Sequence, residues 1–292
     1  PWAEGTPLTT GGAHHSTVAA TPYTSQVQGA GVLYVMGGIE AKIGQPVATI
    51  NRFELNDDGT LGAVEAAGDL PAPLHSFGAA IFRSTIYIAG GATTDDAPVE
   101  TVYRAAIDTL GNIGEWEALS NLPEARSYHG FVAFGGFLYA TGGETDAVHV
   151  DDANFSQNNT KLASTAHARI DLRSGLLSEG WVISGATMNK ARSKHIALGA
   201  GGSVFVSSGL YAAAGNGSSE NTFAEINADG TLASFGGATG SNTILSVGGV
   251  NLFNPAGVTY VDASGVARVM ILGGDDVNNP GSKSAKVIFY QP

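Results

Sequence analysis

The sequence contains no cysteine. That absence excludes disulfides, thiolate zinc sites, iron–sulfur clusters and cysteine nucleophiles together. Charge is also scarce: 14% of the 292 residues are charged, and 14 basic residues stand against 26 acidic ones, a net charge of −12. A surplus of that sign repels nucleic acid and anionic lipid, so neither is expected as a partner. No apolar run approaches the roughly 20 residues needed to span a bilayer, so direct membrane insertion is not expected. The segment from Pro1 lacks the basic and apolar regions of a signal peptide, and any such peptide is expected to have been removed.

Against these absences stand 43% hydrophobic residues, enough for a sizeable core, and 41 glycines, about twice average usage. The chain is therefore read as globular and turn-rich. Few lysines with abundant Thr, Ser, Asn and Gly point to an extracytoplasmic setting: periplasmic, cell-surface or secreted.

A repeat organises the whole chain. Leu33-Tyr34-Val35-Met36-Gly37-Gly38 returns as Ile86-Tyr87-Ile88-Ala89-Gly90-Gly91 and as Leu138-Tyr139-Ala140-Thr141-Gly142-Gly143. Looser copies are Val204-Phe205-Val206-Ser207-Ser208-Gly209 and Val269-Met270-Ile271-Leu272-Gly273-Gly274, which spaces the closing glycines by 53, 52, 66 and 65 residues. Each copy reads as a buried strand ended by a glycine pair where the backbone turns or passes close to a neighbour. An alternating strand follows, around Phe53, Tyr103, Ala168 and Phe223, then a Gly turn and a bulky residue: Val64, Trp116, Trp181 or Phe235. These are hairpins, and each unit holds four strands, the length of one propeller blade.

The ends are out of register with the repeat. Trp2 precedes Leu8 by six residues, as Trp116 precedes Leu122, and Leu8 precedes His15 by seven, as Leu122 precedes His129. Lys286 to Tyr290 reads as a third strand with no fourth after it. Pairing the N-terminal strand with the C-terminal one would complete the last blade and remove two exposed sheet edges. The expected fold is all-β: one domain over residues 1–292, a five-bladed propeller of four-stranded antiparallel blades. The blade cores fall near 15–70, 75–122, 129–187, 195–240 and 248–292, with 1–8 completing the last.

The pattern of Arg126-x-x-His129, Tyr139 before Gly142-Gly143, and Trp116 followed by Leu122-Pro123 resembles the Kelch repeat, in particular bacterial propellers of the Kelch and galactose-oxidase-like kind. The resemblance covers essentially the whole chain, with Ser208 and Phe235 departing from it in the fourth unit. It implies that the loops after Gly-Gly and those leading into the first strands share one face used for binding. The copper-radical oxidation of one branch of that family needs a Cys-modified tyrosine, which a cysteine-free chain cannot form.

On that face the candidate binding residues are Arg126, Tyr128, Arg192, Lys194, His149, Asn154, Phe155, Asn158, Tyr211 and Asn216. Arg126 and Arg192 occupy matched positions and can grip a carboxylate bidentately or brace neighbouring loops. Loop 144–160 mixes His149, Asn154, Phe155 and Asn158, a set that suits sugar hydroxyls or a protein partner. Asp151, Asp152, Asp275 and Asp276 are the candidate ligands of a calcium ion, set against the simpler reading of solvated loop acids. His15, His129 and His195 fall at equivalent positions, with Phe77 and Gly248 in the other two units. They are read as structural histidines bonded to backbone in preference to a metal ring.

The leading functional expectation is a non-catalytic binding or scaffolding propeller, without a cofactor, that presents its loop face to a protein partner or glycan, within a larger envelope complex or alone. The alternatives are a carbohydrate-active enzyme of isomerase or hydrolase type working from the central pocket, and a calcium-stabilised structural module.

Overall fold

The computed structural model describes residues 12–13, 16–20, 31–56, 60–146, 160–211, 221–237, 252–253, 255–261, 267–272, 275–276 and 287–290. The described residues hold strands and no helix. Four successive four-stranded antiparallel sheets follow the repeat. The first contains β1 (Ser16–Ala20), β2 (Gly31–Met36), β3 (Thr49–Leu55) and β4 (Leu61–Asp69). The second contains β5 (Gly78–Phe82), β6 (Thr85–Ala89), β7 (Val102–Ala106) and β8 (Glu117–Ala118). β9 (Gly130–Phe134), β10 (Phe137–Thr141), β11 (Thr165–Arg169) and β12 (Val182–Ile183) form the third. β13 (Ile196–Ala200), β14 (Ser203–Ser207), β15 (Asn221–Glu225) and β16 (Gly236–Gly237) form the fourth. A fifth sheet has three described strands, β17 (Ala256–Val261), β18 (Ala267–Leu272) and β19 (Val287–Tyr290).

Within every sheet the strands pair in chain order, and β19 is the third strand of its sheet, as the sequence of Val287 to Tyr290 indicates. Residues 1–8, the expected closing strand, lie outside the described residues. The first described strand of the fifth sheet begins at Ala256, and Gly248, the expected counterpart of His129, lies outside the described residues.

The first strands of consecutive sheets pack side by side: β1 on β5, β5 on β9, β9 on β13 and β13 on β17. The core is correspondingly divided between neighbouring sheets. Tyr34, Met36 and Ile50 of the first sheet meet Phe77, Ile86 and Ile88 of the second. Tyr87 and Ala89 meet Phe131 and Leu138, and Tyr139 meets Ala197 and Val206.

The glycine pairs make this contact possible. A Cβ on Gly90 would stand 2.4 Å from the Arg126 carbonyl oxygen and 2.8 Å from His129, both on the next sheet. Gly142 repeats the arrangement one sheet later, 2.5 Å from the Arg192 carbonyl and 2.9 Å from His195.

Two further repeated bonds tie sheet to sheet. The strand-centre tyrosines Tyr34, Tyr87 and Tyr139 donate their hydroxyls to the carbonyls of Gly111, Gly175 and Gly230 in the following sheet, at 2.7, 2.7 and 3.1 Å. The indoles of Trp116 and Trp181 donate back to the Asp69 and Ser120 carbonyls at 3.0 and 3.1 Å. The fourth repeat has Phe205 and Phe235 at these positions and can make neither bond. Tyr139→Phe is expected to cost about 1 kcal/mol in urea unfolding, the net worth of one such hydrogen bond.

Candidate functional site

The loop face is built by the residues that enter each first strand and those that leave each Gly-Gly pair. On this face each sheet carries a second, smaller pairing. Gly12–Ala13 pairs with Ile39–Glu40, and His75, Ser127 and Ser193 bridge to Ala92, Glu144 and Leu210. Leu252–Phe253 pairs with Asp275–Asp276 in the fifth.

One residue further on, Ser76, Tyr128 and Lys194 adopt left-handed backbone with φ of 54, 51 and 55°. Side chains other than glycine's seldom sit there, and such strain gathers where surrounding structure imposes it. Here the imposing contacts are visible: the Tyr128 amide donates to the Ser76 carbonyl at 2.9 Å, and the Lys194 amide to the Tyr128 carbonyl at 2.8 Å. Three consecutive sheets are thereby stitched together at equivalent positions.

The stitch sets an aromatic face beneath a cation. Lys194 Nζ lies 4.5 Å from the centre of the Tyr128 ring. Burial pushes the Tyr128 phenol up to about 12, the charges of Glu144 and Asp96 push in the same direction, and a hydrogen bond with Ser76 opposes them. At neutral pH the group is therefore a protonated hydroxyl.

Acids and hydroxyls surround it. The buried His75 ring lies with Nδ1 3.0 Å from Ser76 Oγ and Nε2 3.3 Å from Asp96 Oδ1. Burial lowers its pKa against the opposing pull of Asp96, so at neutral pH a neutral imidazole faces this carboxylate and the two are not an ion pair. Glu144, also buried, accepts the Ser193 hydroxyl.

Among the expected binding residues, then, the structure brings Tyr128 and Lys194 together. Tyr211 is the cross-strand partner of Arg192, and Lys190 Nζ lies 4.8 Å over its ring. Arg126 and Arg192 themselves are 1% and 0% exposed. Arg126 donates to the carbonyls of Gly142 at 2.8 Å and Ser164 at 3.4 Å, and Arg192 to that of Ser208 at 3.2 Å. These are bracing contacts beneath the face. His149, Asn154, Phe155, Asn158, Asn216, Asp151 and Asp152 lie outside the described residues, and Asp275 and Asp276 are described only as strand backbone. Among the described residues no group of three or more His, Asp or Glu side chains is arranged to hold a metal. His75, Ser76 and Ser193 were not singled out by the sequence; their signal is the doublet at a fixed offset before each first strand, His75-Ser76, Ser127-Tyr128 and Ser193-Lys194.

Of the matched histidines, His129 and His195 sit between sheets, and His15 lies outside the described residues. Neither ring nitrogen of His129 has a hydrogen-bond partner, and His195 Nε2 meets Thr141 Oγ1 at 2.9 Å. Burial, reinforced by the Arg126 charge, holds His129 well below the ordinary imidazole value, and burial with the Arg192 charge lowers His195 to about 3. In both cases the unfolded chain binds the proton more readily than the folded one, so stability falls as pH drops below about 6.5 and keeps falling toward pH 3. Each contributes a slope of up to about 1.4 kcal/mol per pH unit. Phe77 fills the equivalent position in the second sheet, so His129→Phe should fold and should show a shallower loss of stability between pH 6 and 4 in urea melts.

No family profile matches the sequence, and no curated protein matches it. Among solved structures, one titled "Structure of YjhT" superposes with a TM-score of 0.58 at 13% identity, covering 77% of this chain and 69% of that one. The fold is propeller-like.

Proposed function

We propose that this propeller-like chain is a non-catalytic binding module that presents its loop face to a carbohydrate. In this reading it is a five-bladed ring of Kelch type, closed by its N-terminal strand and placed outside the cytoplasm. The supporting observation is the Ser76–Tyr128–Lys194 stitch. It fixes an ammonium group over a tyrosine ring that is 8% exposed, with carboxylates nearby. Such a set offers hydrogen-bond donors and acceptors at the edge of an aromatic ring, the polar groups that sugar hydroxyls require.

A glycan array of neutral and acidic oligosaccharides, followed by calorimetry on any hit, tests this. Lys194→Gln and Tyr128→Phe are expected to weaken binding at least tenfold with little change in melting temperature. Undiminished binding in both variants, or turnover of a bound sugar, would overturn the reading.

A further inference from the structure

At the opposite end of the strands, the turn joining the first two strands of a sheet opens with glycine in the third and fourth sheets: Gly135 at φ 62° and Gly201 at φ 55°. The second sheet has Arg83 in that position, in the same left-handed conformation, at φ 55°. A residue that glycine would replace without strain is held there by its side chain, whose Nη1 donates to the Leu172 carbonyl of the next sheet at 2.7 Å.

Beside it lies a pocket of about 170 Å³ between the second and third sheets, lined in part by Arg83, Ser84, Thr85, Arg173 and Ser174. Arg104 reaches the same seam and donates to the Ser174 carbonyl, while its other nitrogens bond Glu117. Asp171 also lines the pocket, but its Oδ1 accepts the backbone amides of Arg173 and Ser174, both at 2.9 Å. Its carboxylate thus shapes the turn that carries Arg173. No ion pair forms between Arg83 or Arg173 and a carboxylate among the described residues. Arg83 and Arg173 thus line one polar seam of a protein whose net charge is −12, with the Asp171 charge beside Arg173 and Arg104 paired to Glu117.

We propose that this seam is a binding site for a small oxyanion, a carboxylate or phosphate group, gripped by the Arg83 and Arg173 guanidiniums with the Ser84 and Thr85 hydroxyls beside them. Guanidinium forks match such oxygens bidentately, and the pocket, open on one side, has room for the anionic group. The site is independent of the loop face and stands or falls separately from it.

The test is thermal unfolding of the wild-type chain, Arg83→Gly and Arg173→Gln with inorganic phosphate or acetate, against chloride at equal ionic strength. Arg83→Gly installs the residue that the third and fourth sheets use, so it should fold, with a melting temperature in chloride close to the wild type's as relief of the left-handed strain offsets the lost Leu172 bond. The wild type is expected to gain melting temperature with at least one of the two ions, phosphate alone marking a phosphate site and acetate alone a carboxylate site. Both variants should lose that gain, with calorimetric affinity falling at least tenfold. No gain over chloride in the wild type, or an equal gain in Arg83→Gly, would overturn the proposal.

Discussion

Gly142→Ala is expected to destabilise the protein by about 3–5 kcal/mol or to prevent folding altogether, since overpacking against backbone and a left-handed alanine each cost on the order of 1–3 kcal/mol. The added methyl would stand 2.5 Å from the Arg192 carbonyl and 2.6 Å from Met188 Cε, with φ at +55°. The sulfur end of Met188 can move aside; the carbonyl cannot, because it accepts the Gly143 amide at 2.9 Å. Gly185, whose added Cβ would meet nothing within 4 Å, supplies the control. Gly185→Ala should shift the urea midpoint little, and equal effects at the two positions would show that the glycine pair has no part in joining the sheets.

Arg126→Ala should likewise cost about 3–5 kcal/mol, because it leaves buried carbonyls without a donor and opens a cavity. Arg126→Leu should be milder, about 1–3 kcal/mol, by removing the donor while keeping volume. Leu74 occupies the matched position in the second sheet and is buried there, which shows that leucine fits this environment. Any glycan bound by the loop face should keep its affinity for Arg126→Leu to within a few-fold, measured well below the unfolding transition. A stable Arg126→Leu that has lost all binding would return this arginine to the ligand site.

The sheets were legible because their strands recur with the same apolar run and the same closing glycines, and the physical need behind those glycines, close approach between sheets, is what the structure shows at Gly90 and Gly142. The small pairings on the loop face were not legible. Two-residue strands such as Leu210–Tyr211 carry no periodicity from which to read them. The left-handed residues escaped for a different reason. Ser76, Tyr128 and Lys194 are unlike residues at one position, and their backbone is dictated by hydrogen bonds from the neighbouring sheet, which local sequence does not encode. Burial of Arg126 and Arg192 was half legible: bracing was among the readings, but a guanidinium reads as a surface group until the carbonyls around it are known.

Closure of the sheets into a ring by the chain's two ends is the central claim of the five-bladed reading, and the lack of native cysteine makes it directly measurable. Spin labels attached to cysteines introduced at Thr6 and Lys286 report the distance between the terminal segments by pulsed electron resonance. Neighbouring strands stand roughly 5 Å apart, so a closed ring predicts a single narrow distribution below about 20 Å once label arms are included. A distribution centred near the width of the whole molecule, roughly 40 Å for a chain of this length, would contradict it.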